Sequence, residues 1–582
     1  MGVRSWEEPL EGPPRVVGPP LLAAGAVALG LLVLLLSNGR PIGSGDARPT
    51  ERVAASLAQE ADLDLDEYPE VEDPFARTVG DHRVSIYPVL SAVLAAPLFV
   101  AARPFFALDE TGTAVLGKLA ASLFSSLAAA VLFLTVGRRR PIEEAALTAG
   151  IFALGTSVWS TSQALWQHPA AVLFLSLAVL CLVRSGEEPA WAGRAGLPLA
   201  LAVAARHADV VLAAVLAVGI AVRRPPQVPR LLLWASPAVA FVLLYQWIYF
   251  GAPWRHGFSG TLGRFNETWG LGHAGLLVSP AKGLLVFTPV VVVAVAGMVR
   301  AFRRGERWLV TTLAAAATGH WLLMGRWSEW HGGASWGPRM MTDVLPLLFL
   351  FLPEGLDVLP SVGPVLAALS VAVQALGAFA YDYRWERLYQ RQSPVGHAEL
   401  WDAARSPIVY YARRRVVIFA LPVVREGRVW IREHPMVLFG PKGSRATFGA
   451  DDAPMVMGAD ATFGDAHAQR GARSEGGRLR LRAHWDGLFL RVRDDAKPRR
   501  LQLRVSGRGQ GTLYVGERTF WSEPRWTAYP ISGPFQIRHP YHFPESGGGD
   551  LTVTIGRAAG EADLASVTLV PPTAPENVIH AP

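Results

Sequence analysis

Two hydrophobic rhythms divide the chain. Across the first 380 positions long apolar runs are separated by polar loops, and across roughly the last 170 apolar and polar residues alternate singly. A helix that crosses a bilayer needs about 20 predominantly apolar residues, with a range of about 17–25. The runs at 16–36, 114–136, 143–160, 168–183, 193–205, 206–222, 230–250, 284–302, 308–325, 341–356 and 362–381 predict about eleven such spans. Segment 86–102 (IYPVLSAVLAAPLFVAA) is also apolar, but its two prolines and flanking charges suit a helix lying at the membrane interface. In the C-terminal part, RLRLRAHW, GLFLRVRD, RRLQLRVSG and DLTVTIG alternate with period two, as strands of a half-buried sheet do. Gly, Pro, Asp and Ser break them about every ten residues, a spacing that favours an antiparallel sandwich.

The predicted fold is an α-helical polytopic membrane protein of about eleven spans with a C-terminal all-β, jelly-roll-like sandwich. The expected divisions are a membrane domain at 1–381 with a first outer loop at 37–113, a connector at 382–412, and the β domain at 413–582. Basic clusters orient it. Arg138, Arg139 and Arg140, Arg223 and Arg224, and Arg300, Arg303 and Arg304 fall on one side if 86–102 does not cross. Lys and Arg flank spans on the cytoplasmic side. The N-terminus is then expected inside and the β domain outside, in a bacterial cytoplasmic (inner) membrane.

Composition agrees with this division: 51% of residues are hydrophobic and 18% charged, against about 25% charged in an ordinary soluble protein. A single globular enzyme, a disordered chain and a fibrous repeat are excluded. The net charge of +7 resides largely in arginines beside apolar runs, so it speaks for topology and not for nucleic acid. One cysteine, Cys181, leaves no internal disulfide and no CxxC metal site. GxSxG, HExxH and Walker patterns are absent from the sequence, which leaves serine hydrolase, zincin and ATP-driven chemistry without support.

Polar and aromatic residues gather in the outer loops. Eleven carboxylates run from Asp46 to Asp81. Asp46 follows a Gly- and Pro-rich turn just outside the first span, before a helix predicted from about Thr50. Partial desolvation there is expected to raise its pKa and fit it as a general base, although a loop or helix-start carboxylate has the same address. The run DLDLDEYPEVED is dense in oxygen ligands but lacks the glycine and spacing of a calcium loop. WHGGASWGPR offers Trp336, His331 and Arg339 beside two glycines. Arginine grips phosphate oxygens with a fork of donors, and tryptophan faces suit both sugars and the lipid headgroup level. Arg206 stands among apolar residues, where a charge is costly and by default functional. In the β domain Trp521, Trp526, Tyr529, Tyr541 and Phe543 are candidates for stacking on sugars.

The order GSGDARPTERVAASLA, VSIYPVLSAVLAAPLFVAAR, LFLTVGRRR, FGAPWRHGF, LLVSPAKGLLVFTP and GGASWGPRMMTDVLPLL, over residues 16–381, resembles the GT-C superfamily of membrane glycosyltransferases. The likeness is to its bacterial, protein mannosyltransferase-like members. The resemblance implies transfer of a sugar from a polyprenyl-phosphate donor to a glycan, lipid or protein acceptor on the extracytoplasmic face, with Asp46 as catalytic base. It also implies substrate-binding roles among Glu51, His168, Arg206, Lys282, His331, Trp336 and Arg339. Membrane lipids are expected partners and nucleic acid is not. No cofactor is certain, and because Asp46 is followed by Ala47 and not by a second carboxylate, a divalent cation stays open. The competing expectation is a non-catalytic transporter or flippase, or an assembly scaffold, with an external glycan-binding domain.

Overall fold

The computed structural model describes residues 21–69, 71, 75–388, 397–414 and 416–437, and strand segments 463–469, 473–475, 478–481, 487–492, 500–518, 525–542 and 551–570. The helices run in the order α1 (Leu21–Leu36), α2 (Arg48–Gln59), α3 (Leu90–Ala102), α4 (Glu110–Val136), α5 (Ile142–Leu154), α6 (Ser157–Thr161) and α7 (Gln167–Arg184). They continue with α8 (Ala190–Arg194), α9 (Gly196–Ala205), α10 (Val210–Arg223), α11 (Val228–Phe250), α12 (Leu271–Val278), α13 (Leu284–Phe287), α14 (Val291–Arg303) and α15 (Arg307–Met324). Last come α16 (Leu345–Phe349), α17 (Leu352–Val358), α18 (Val362–Ala380), α19 (Arg384–Leu388) and α20 (Pro407–Arg414).

Four helical stretches, Glu110–Val136, Gln167–Arg184, Pro225–Phe250 and Val362–Ala380, are long and apolar enough to cross a membrane. Helices occupy the other predicted spans as well; α15 fills 308–325 almost whole with 18 residues, and the rest are shorter or broken. The run 341–356 becomes a 3-10 helix, Arg339–Val344, followed by α16 and α17. The run 284–302 is divided between α13 and α14 around Pro289. Eleven full spans are therefore not established. Leu232, Leu233, Leu244, Trp247 and Ile248 on α11 and Leu21, Leu22, Leu29 and Val33 on α1 are exposed. So much contiguous apolar surface is unfavourable against water and natural against lipid; the chain is a membrane protein.

Local chemistry sets the ends of these helices. Asp109 caps α4, its side chain accepting from the Gly112 N–H at 2.9 Å, and Glu110 adds an acidic first turn. Gly251 closes α11 in the left-handed conformation at φ 74°. Helix α3 covers the region read as interfacial, and α2 lies where the loop helix was expected.

The exit from α1 is the anchor of the fold. Asn38, almost fully buried, donates to Gln163 Oε1 at 2.9 Å and to the Ala378 carbonyl at 2.7 Å. Its own oxygen accepts from Lys118 on α4, which also donates to the Arg40 carbonyl at 2.9 Å. Arg40 donates to the Tyr381 carbonyl, and the Ile42 N–H to Gln163 at 2.9 Å. Helices α4 and α18 and the turn after α6 thus fix the few residues that precede Asp46.

Contacts divide the chain into two compact units. The first extends to Ala412 and includes Val417–Met436, so the connector and the hairpin of β3 (Val416–Arg425) and β4 (Arg428–Val437) belong largely to it. Inside it, β1 (Ala76–Val79) pairs antiparallel with β2 (His82–Ser85). The second unit holds β5 (Phe463–Gln469), β6 (Arg473–Glu475), β7 (Arg478–Leu481), β8 (Gly487–Val492), β9 (Arg500–Arg518), β10 (Arg525–His542) and β11 (Leu551–Val570). Long β9 lies between β10 and β11, and β7 and β8 pair with the far edge of β11, all antiparallel. Among the described residues these pairings form one seven-stranded sheet, which does not by itself establish a two-sheet sandwich.

Candidate functional site

Asp46 sits on the turn between the pinned exit of α1 and the start of α2. Its Oδ1 accepts from Ser44 at 2.5 Å and from the Trp166 indole N–H at 2.9 Å. Its Oδ2 meets Arg339 Nη1 at 2.6 Å. The carboxylate side chain keeps 18% exposure and the guanidinium 7%. Burial pushes the Asp46 carboxyl up, but the Arg339 charge and the bonds from Ser44 and Trp166 outweigh it, and the group lies below the usual carboxylate range. This corrects the raised pKa expected from position alone: desolvation is present, but a cation 293 residues away in sequence (339 less 46), together with the bonds from Ser44 and Trp166, outweighs it.

Arg339 is itself held from three directions. Its Nη2 donates to the Gly332 carbonyl at 2.7 Å, and its guanidinium lies over the Trp166 ring at 5.1 Å. Its buried Nε has no hydrogen-bond partner. The chain reaches this position through three glycines with positive φ, Gly332 (73°), Gly333 (61°) and Gly337 (72°). A Cβ on Gly337 would come within 2.8 Å of Phe287 Cδ1, so glycine is required there by both backbone and space.

The other predicted site residues are distributed around this centre. Lys282, fully buried, donates to the carbonyls of Gly333 at 2.8 Å and Ser335 at 2.5 Å, with Glu386 at 3.6 Å. Burial brings its pKa down to about 8. It clamps the loop that presents Arg339. Trp336 donates to the Val373 carbonyl at 3.2 Å and packs among Phe287, Tyr381 and Tyr411, so protein already covers its ring. His331 accepts from the Gly333 N–H at 3.0 Å and lies 4.8 Å from the His397 ring; burial takes it down to about 3. Glu51 is buried behind Asp46 against Gly117 of α4, and burial raises its carboxyl to about 7. Only Arg339 of the expected set touches Asp46.

Arg206 and His168 belong to a second, fully internal cluster. Arg206 Nη1 meets Asp209 at 3.1 Å and Asp343 at 3.0 Å, and His168 Nδ1 meets Asp343 at 3.0 Å. The two clusters share a frame: Trp166 and His168 are two residues apart, and Arg339 and Asp343 four apart on the 3-10 helix. Asp343 and His320 were not singled out from the sequence. Charged or ionisable residues within the apolar runs 341–356 and 308–325 were the available signal.

A narrow cleft opens nearby, lined by Tyr87, Val89, His207, Tyr245, Phe250 and His256 among others. Burial first, then the Asp46 charge, raises the Tyr87 phenol, so cleft and carboxylate are within electrostatic reach of each other. In the second unit Tyr529 bonds His539 Nδ1 at 2.6 Å. The side chains of Trp521, Trp526, Tyr541 and Phe543 lie outside the described residues.

No family model matches the chain, and no curated protein does. Among solved structures, the apo form of the Archaeoglobus fulgidus oligosaccharyltransferase is similar at 12% identity with a TM-score of 0.36. The match covers 66% of this chain and 60% of that one, so the chain spans less than two thirds of its length.

Proposed function

We propose that the chain is a membrane glycosyltransferase that moves a sugar from a polyprenyl-phosphate donor to an acceptor on the extracytoplasmic face, with Asp46 as general base. The observation that carries this reading is the Asp46–Arg339 pair, a carboxylate and a forked cation held together at the end of the first predicted span. The unpartnered Arg339 Nε adds a donor suited to a phosphate oxygen.

In this scheme the acceptor oxygen forms a bond to the anomeric carbon as the bond from that carbon to the phosphate oxygen breaks. Asp46 takes the acceptor proton, and the lipid phosphate leaves as an anion beside Arg339. The ion pair explains how a carboxylate with a lowered pKa serves as a base. A donor phosphate draws the guanidinium toward itself, and burial then dominates at Asp46 and raises its proton affinity. The base is uncovered only with the donor present.

The test is transfer from a polyprenyl-phosphate sugar by the full-length protein and by Asp46→Asn. A general base is worth about 10²–10⁴-fold in rate, so the variant should lose activity on that scale while binding the lipid donor. Unchanged turnover would remove Asp46 from the mechanism.

A second reading, transport, is favoured by one observation. Arg206, Asp209, His320 and Asp343 form a buried charged cluster drawn from three predicted spans, which is where coupling groups of transporters reside. Substrate uptake into proteoliposomes without transferase activity would favour it.

A further inference from the structure

The buried cluster of Asp209, His320 and Asp343 contains an arrangement that the glycosyl-transfer reading does not use. His320 on α15 and Asp343 on the 3-10 helix are fully buried, as is Asp209 just before α10. His320 Nε2 lies 3.0 Å from the Met340 carbonyl. A carbonyl only accepts, so Nε2 carries the proton and Nδ1 of the neutral ring carries a lone pair. That Nδ1 has no hydrogen-bond partner, and it lies 3.8 Å from Asp209 Oδ1. Asp209 Oδ2 has none either. Lone pairs on nitrogen and oxygen thus face each other in a site closed to water.

Charge leads to the same place. Arg206 stands against two carboxylates, Asp209 and Asp343; with both ionised, one negative charge among these groups has no counterion. Uncompensated buried charge is strongly unfavourable. Ligand atoms of Asp209, His320 and Asp343 all lie within 4.8 Å of one another, and a modest inward movement brings them to tetrahedral spacing around one ion. The bond from the remaining ring nitrogen to a backbone carbonyl fixes the tautomer of a metal-ligating histidine in the same way.

We propose that Asp209, His320 and Asp343 bind one divalent transition metal of the zinc class, through two carboxylates and the imidazole Nδ1. The ligand set is nitrogen and oxygen with no thiolate, and three protein ligands leave a fourth position. Arg206 then becomes a neighbour that orients both carboxylates. With Arg206 counted, a divalent ion leaves one positive charge, which hydroxide in the fourth position neutralises. Complete burial of the ligands implies that the ion exchanges only when the protein opens.

The experiment is metal analysis of the full-length protein, purified in detergent from cells grown with added zinc chloride and passed through a chelator. It is compared with Asp209→Asn, His320→Gln and, as a control at the separate Asp64–Asp66–His82 group, whose histidine is exposed, His82→Gln. About one equivalent of zinc per chain is expected in the wild type and His82→Gln, with loss to background in the other two. X-ray absorption of the wild type provides a measurement that needs no variant: it should show a nitrogen and oxygen shell containing one imidazole. A folded wild type without zinc, in which a proton on His320 Nδ1 fills the gap, overturns the proposal. So does zinc retained in both folded variants, or a shell without imidazole. No sugar donor enters these measurements, so they stand or fall independently of glycosyl transfer.

Discussion

Removing the charge of Arg339 tests the central pair. Arg339→Met keeps much of the side-chain volume but leaves Asp46 Oδ2 without the partner now at 2.6 Å. With charge centres about 4 Å apart and an effective dielectric of about 20, the attraction is about 4 kcal/mol. Stranding one member of a buried pair costs about 3–5 kcal/mol; the residual exposure of Asp46 favours the lower end. Asp46→Asn should cost a similar amount, because its amide would face the Arg339 donors. The double variant should cost about 1–3 kcal/mol less than the sum of the singles. Unfolding in mixed micelles measures all four proteins.

The pH profile supplies an independent check. In the wild type the Asp46 carboxyl is held below its unfolded value of 3.8. Its stabilising contribution is therefore present above about pH 4 and lost as the pH falls through the lower, folded value. In Arg339→Met burial loses its strongest opponent and only the bonds from Ser44 and Trp166 still lower the group, so this contribution should shrink and the acid side of the profile should change slope. Strictly additive costs, or an acid profile identical to that of the wild type, would refute the coupling. The uncovered-base mechanism would then have no foundation.

Two further perturbations test the frame. Glu51, raised to about 7 by burial, contributes stability that is complete below its unfolded value of 4.5 and lost as the pH rises through about 7; the span corresponds to about 3 kcal/mol. Glu51→Gln should flatten stability over that window, and an unchanged slope in unfolding titrations would show that Glu51 is not its source. Gly337→Ala places a Cβ against Phe287 at a φ of 72° and should cost about 1–3 kcal/mol, read as a lower midpoint of unfolding.

Legibility differed from residue to residue for physical reasons. Asp46 stood out because a carboxylate on a Gly- and Pro-rich turn beside an apolar run is locally unusual. Arg339 stood out as one of several cations near glycines and aromatics, and nothing local separated it from Lys282 or Arg206. Those two carry the same charge in comparable surroundings, but Lys282 donates to the Gly333 and Ser335 carbonyls and Arg206 pairs with Asp209 and Asp343. Trp336 reads as a face for a sugar or for the lipid headgroup level, but Phe287, Tyr381 and Tyr411 pack around it. The direction of the Asp46 pKa was misjudged for the same reason: burial can be anticipated from the neighbouring residues, whereas a partner near position 340 cannot.

Hydrophobic period along the sequence determined the membrane class, the places where helices form and the alternating strands of the C-terminal part, because period depends only on near neighbours. Helix ends followed as well wherever a cap such as Asp109 or a left-handed glycine such as Gly251 was local. Tertiary structure alone decided which predicted spans stay whole and which break, as 341–356 does into a 3-10 helix and two short α-helices. It alone brought Asp46 to Arg339 and Asp209 to His320 and Asp343. Charges act across a few ångströms of space regardless of the chain between them, so residues hundreds of positions apart set whether a buried carboxylate is paired, poised as a base or left facing a lone pair.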